Sequence, residues 1–116
     1  DISCPVIGLF AVFCKIRKGE LPSTILYSDD DFMIIKDINP RAKIHLVAIP
    51  YTHVPHIEMM TEEGACVLGK IILKISHLQE ELGLVGGYRL LINQGENAAV
   101  SHVHIHILGG EKLKEF

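Results

Sequence analysis

Near its end the chain carries His102-Val103-His104-Ile105-His106-Ile107-Leu108, in which histidines alternate with aliphatic residues. A period of two is the period of a β-strand, whose side chains point to opposite faces in turn. The run predicts a strand with His102, His104 and His106 on one face, and Val103, Ile105 and Ile107 turned to a core. Two rises of about 3.3 Å would set neighbouring imidazoles about 6–7 Å apart. A strand that devotes a whole face to three histidines needs a reason. Protonated imidazoles repel one another, and buried ones need hydrogen-bond partners.

Spacing alone leaves three readings open. In the first, the row binds a phosphate and one imidazole attacks phosphorus. Imidazole is largely neutral at pH 7 and nucleophilic without a strong external base. The attacking nitrogen must be unprotonated, so the other ring nitrogen should donate to a backbone carbonyl, and the flanking histidines would donate to phosphoryl oxygens. In the second, two of the three ligate Zn²⁺, as an H-x-H pair on a strand can. In the third, the row is a polar strand face covered by a loop or a partner chain.

The remaining chain bounds the fold. Its 116 residues, 48% hydrophobic and 22% charged, suit one globular domain over residues 1–116, with 1–7 a loose extension. A net charge of −3 does not suit a nucleic-acid groove, which needs clustered Lys and Arg. No apolar run reaches the roughly 20 residues of a membrane span, and no basic segment precedes an apolar one as in a secretory signal. Cys4, Cys14 and Cys66 are an odd, widely spaced set, which points to a reducing, cytoplasmic setting over a disulfide framework.

Residues 8–18 place Leu9, Val12, Phe13 and Ile16 on one helical face, with Gly19 as a stop. Residues 24–28 and 32–36 read as strands of a hairpin around Asp29, Asp30 and Asp31. Residues 44–49 form another strand before Pro50. Thr61 is an N-cap, and Glu62 and Glu63 suit the positive end of a helix. Leu68, Ile71, Ile72, Ile75, Leu78 and Leu82 then recur at helical spacing up to Gly83. Strands follow at 88–93 and 102–108. The expected fold is α+β: an antiparallel five-stranded meander sheet with one long and one short helix, the long one packed on one face.

The triad run followed by Gly109-Gly110 resembles the signature of the histidine triad (HIT) family, in its Hint-like nucleotide-binding branch. The likeness extends over roughly residues 10–110: F-C-K-I-R-K-G-E-L-P, D-I-N-P-R-A with I-H-L-V-A-I-P, the helix, and G-Y-R-L-L-I-N follow in family order. It implies a purine nucleoside phosphoramidate hydrolase in which His104 forms a nucleotidyl-histidine intermediate that water then cleaves. His102 and His106 would position and protonate around the phosphate, and His45, matching the family's fourth histidine, would join the catalytic set. Asp37 would accept from both ribose hydroxyls, Ile35 and Ile38 would wall the base, and Asn93 would lie near the phosphate. The loop G-E-N-A-A-V-S-H is about two residues shorter than the family's usual Gly-rich stretch. Ala99 falls where a hydroxyl would help the leaving group, so Ala99 and Val100 would hold phosphate through backbone amides alone.

Some relatives bind zinc with C-x-x-C and two histidines. Here Ala11 replaces one cysteine, and Cys14, His53 and His102 make an incomplete set, so neither metal nor cofactor is expected. Cys14 and Cys66 read as small buried apolar residues, and His56 and His77 as solvated histidines. The implied partners are a purine nucleotide and a second copy of the chain in a homodimer with a continued sheet, with no nucleic acid and no membrane. Competing functions are a dinucleoside polyphosphate hydrolase or nucleotidyl transferase of the same family, a nucleotide-binding module with little catalysis, and a metal-dependent hydrolase that uses the triad as ligands.

Overall fold

The computed structural model describes residues 24–98 and 102–115. The expected short helix over 8–18, Cys4, Cys14, Ala99, Val100 and Ser101 lie outside the described residues. Among the described residues five strands and one helix form the framework: β1 (Ile25–Ser28), β2 (Phe32–Lys36), β3 (Ile44–Pro50), α1 (Glu62–His77), β4 (Tyr88–Leu91) and β5 (Ile105–Gly109). Short 3-10 turns at Ile57–Met59 and Gly95–Asn97 interrupt the connections.

Local chemistry explains the element ends. Asp29 Oδ1 accepts from the amides of Asp31 at 2.8 Å and Phe32 at 3.1 Å, which folds the β1–β2 turn. Thr61 Oγ1 accepts from the Gly64 amide at 3.1 Å and caps α1, with Glu62 and Glu63 in its first turn as expected. The helix stops sooner than the apolar spacing implies: Leu78 caps it, and Gly83 takes its left-handed conformation one further turn along. Leu82 is buried in that extra turn.

Every strand pairing is antiparallel, and the sheet order is β1-β2-β3-β5-β4. The first three strands form the expected meander. The last two do not continue it, because β5 enters between β3 and β4. The chain passes through α1 to a strand parallel with β3 but one position further out, and the return strand fills the gap. That insertion gives β5 a partner on both sides and places its histidine beside β3.

One sheet face packs on α1. Phe32, Ile34, Leu46, Ala48, Ile105 and Ile107 meet Val67, Ile71 and Ile75 there. These helix residues repeat at three and four positions and form one stripe. Ile72 lies outside the stripe and is 49% exposed, and Cys66 is exposed too, so neither belongs to the core as its apolar character suggested. The opposite sheet face carries Met33, Ile35, Val47 and Ile49, with Tyr51 packed beside them. His106 pairs across from Val47 on that face. The Gly109-Gly110 pair following the histidines serves packing. A Cβ on Gly110, which has a φ of +78°, would lie 2.5 Å from Ile44 Cγ1, and one on Gly109 would lie 2.9 Å from Leu84 Cδ2.

Candidate active site

The histidines gather on the sheet face away from α1. The His104 and His106 ring centroids lie 4.9 Å apart at 68°, and those of His106 and His45 lie 5.1 Å apart at 55°. The rings lean edge to face, which brings them closer than the spacing of an ideal flat strand. The regular strand begins only at Ile105, so His102 departs from the row.

Hydrogen bonds determine where each proton sits. His104 Nδ1 lies 2.6 Å from the His102 carbonyl. A carbonyl can only accept, so Nδ1 carries the proton and the neutral ring keeps its lone pair on Nε2. This is the arrangement the sequence demands of an attacking imidazole. The Arg41 amide donates to His45 Nδ1 at 2.9 Å, so His45 bears its proton on Nε2. That nitrogen lies 2.9 Å from His106 Nδ1, which therefore accepts, and the His106 proton is left on Nε2 as an outward donor. The chain runs Arg41 amide, His45, His106, with every donor pointing the same way.

Asp37 sits against this pair. Its Oδ2 is 3.4 Å from His45 Nε2 and 3.8 Å from His106 Nδ1, while Oδ1 accepts from the Asn39 amide at 2.8 Å. Burial holds both His45 and His106 below the usual imidazole range, and the Asp37 charge opposes that shift. Asp37 thus closes a local turn and faces the imidazoles through opposite oxygens.

His102 is built into the scaffold. It is 1% exposed, its Nε2 donates to the Pro50 carbonyl at 2.9 Å, and its Nδ1 accepts a long bond from the Val54 amide at 3.4 Å. Burial pushes its imidazole down to about 4, against the pull of the Pro50 bond. His53 stacks on it, with centroids 5.2 Å apart at 11°. Its carbonyl holds His104, so His102 links the end of β3 to the His104 ring. Its side chain does not join the row with His104 and His106 that the alternation predicts, because backbone polar groups claim both ring nitrogens.

Of the other expected residues, Ile35 is buried on the histidine-bearing face, whereas Ile38 is 87% exposed. Asn93 follows β4 half-buried, and no hydrogen bond joins its side chain to the imidazoles among the described residues. Ala99 and Val100 lie outside the described residues. The groups sequence reasoning missed are the Arg41 amide and the Pro50 carbonyl. Every residue carries backbone groups, so no residue type announces them. His56 and His77 are exposed as expected.

Asp37, His45 and His106 have the donor types and mutual spacing of a three-ligand metal site. Their protonation opposes it. A ligating histidine normally donates its other ring N–H, whereas the second nitrogen of His45 accepts from a backbone amide that cannot give way. The same reasoning applies to His102, whose remaining lone pair faces the Val54 amide. The arrangement suits metal-free chemistry, with a basic ring nitrogen on His104 and an aligned N–H donor on His106.

Comparisons with known proteins place the chain among relatives of the same fold. The profile described as "scavenger mRNA decapping enzyme C-term binding" matches residues 11–115. Protein HitA of Neisseria gonorrhoeae is 39% identical over 100 residues, which are 84% of this chain and 94% of HitA. The structure of a HIT family hydrolase from Clostridium thermocellum superposes with a TM-score of 0.82 at 42% identity, over 90% of this chain and 94% of that one. A histidine triad nucleotide-binding protein from Candida albicans gives a TM-score of 0.71 at 31% identity, over 83% and 71%.

Proposed function

The chain belongs to the histidine triad (HIT) family, and from that premise we propose that it hydrolyses purine nucleoside phosphoramidates, through a nucleotidyl-histidine intermediate on His104. The hydrogen bond from His104 Nδ1 to the His102 carbonyl carries the reading, since it puts the ring proton on Nδ1 and the nucleophilic lone pair on Nε2. Relatives described as a hydrolase and as a nucleotide-binding protein support the reaction class and the ligand class.

In the proposed reaction His104 Nε2 bonds to the α-phosphorus as the P–N bond breaks. The His45–His106 pair first binds one extra proton beside the Asp37 carboxylate, which offsets its charge; His106 Nε2–H, the aligned donor, then passes a proton to the departing amine and the pair returns to neutral. Water then attacks the phosphorus, returns a proton to His106 and releases the nucleoside 5′-monophosphate from His104. His102 and His45 hold the two reacting rings in place. The outer lone pairs of Asp37 would take the ribose hydroxyls, Ile35 and Ile38 would flank the base, and Asn93, Ala99 and Val100 would lie by the phosphate.

The reading includes a cytoplasmic homodimer. Among the described residues strand β4 lies at an edge of the sheet, and the outer side of α1 exposes Ala65, Cys66, Gly69, Ile72 and Leu73. Small and aliphatic residues on an exposed helix face, together with that strand edge, suit a second copy that continues the sheet.

Hydrolysis of adenosine 5′-phosphoramidate, with and without a chelator, tests the proposal. Parent turnover should resist the chelator and fall at least about a thousandfold in His104→Ala. A parent that binds nucleotide without turning it over would replace the enzyme reading with that of a binding module. Faster cleavage of dinucleoside polyphosphates would move the substrate class.

A further inference from the structure

We infer that the Arg41 guanidinium binds a second phosphate of the nucleotide, beyond the phosphoryl group that His104 attacks. The inference rests on the nucleotide reading above and adds a determinant of substrate choice. Residue 41 lies at the end of the polar row. His104 meets His106 at 4.9 Å between ring centroids, His106 meets His45 at 5.1 Å, and the Arg41 amide bonds His45 Nδ1 at 2.9 Å. Arg41 is exposed, and no ion pair or hydrogen bond involves its side chain among the described residues. The nearby Asp37 does not neutralise it, because its oxygens face the Asn39 amide and the two imidazoles.

The charge balance of the site calls for such a cation. Burial disfavours the protonated forms of His45, His102 and His106, and Asp37 is an acid beside them. An anionic nucleotide approaching this face would meet net repulsion unless a cation offsets it. The positive charge of Arg41 reaches both His45 and His106, where it disfavours their protonation. Two rings separate it from His104, so the anion it serves is displaced from the attacked phosphorus. A guanidinium presents a planar fork that matches two phosphate oxygens. Such a phosphate has two possible positions, the 5′ chain next to the attacked group or the ribose.

Calorimetric titration of AMP, ADP and adenosine 3′,5′-bisphosphate into the parent, Arg41→Gln and Arg41→Lys proteins at one ionic strength separates these positions. The substitutions leave the backbone amide in place, and a circular dichroism spectrum matching the parent's establishes that each variant is folded. The parent should bind one of the two bisphosphorylated ligands about tenfold more tightly than AMP, in line with a charge-assisted pair. ADP preference assigns the phosphate to the 5′ chain, and preference for the 3′,5′ compound assigns it to the ribose. Arg41→Gln should abolish the ratio of affinities, and Arg41→Lys should keep part of it, as a point charge without the fork. AMP binding with no advantage for either ligand, or an advantage that survives in Arg41→Gln, would overturn the inference. A parent that binds none of the three nucleotides overturns the nucleotide reading itself, and this inference with it.

Discussion

Acid should unfold this protein in part through one buried ring. His102 holds the Pro50 carbonyl with Nε2–H and receives the Val54 amide at Nδ1. A second proton on that ring would set N–H against N–H inside the protein. Burial puts the folded value at about 4, against 6.5 for the free side chain. The folded state thus binds the proton less readily than the unfolded chain, and stability rises with pH across that interval. The contribution is fully present above about pH 6.5 and is lost as pH falls towards 4. A shift of that size at about 1.4 kcal/mol per unit predicts a loss of about 2.5 kcal/mol between pH 7.5 and 4.5. His45, His53 and His106 are shifted the same way and add to the acid sensitivity. Comparison with His102→Gln isolates the one ring. Urea unfolding of both proteins at the two pH values should show the parent losing about 2.5 kcal/mol more than the variant. Equal losses would refute the reasoning. If the variant does not fold, the His102 ring proton in the parent's NMR spectrum serves instead, and a titration midpoint at 6 or above would refute it.

Two further outcomes follow from the packing. Gly110→Ala places a methyl against Ile44 and forces a left-handed φ, so it should cost about 2 kcal/mol or more in urea unfolding and lower activity through the adjacent His45. Ile71→Ala empties the centre of the α1–sheet layer, where Ile71 is fully buried, and should cost about 2–5 kcal/mol without changing which nucleotide is bound.

Much of the site could be read in the sequence because the chemistry belongs to residue types. The alternating His-aliphatic run pointed to a strand, which holds from Ile105 onward, and the requirement for a basic nitrogen led to a backbone acceptor for its partner nitrogen, which His104 has. The hairpin at Asp29 and the cap at Thr61 were equally legible, since each side chain satisfies amides a few residues away. The exposure of Ile72 and Cys66 was not. Periodicity marks a broad apolar face, and the exact orientation of the helix on the sheet decides which flank stays wet.

By itself the sequence determined the main strands and the helix and brought the histidines to notice, because these follow from local periodicity and from the chemistry of side chains. Tertiary structure alone decided how those histidines divide their work. Insertion of β5 between β3 and β4 brings His106 to His45, residues 61 positions apart in the chain. The end of β3 and the segment after it supply the carbonyl and amide that take His102 out of the row. Arg41 meets His45 through its backbone, and that bond sets the direction of every proton beyond it. Hydrogen bonds to backbone groups choose between two tautomers of equal composition, and no pattern of residue types records that choice.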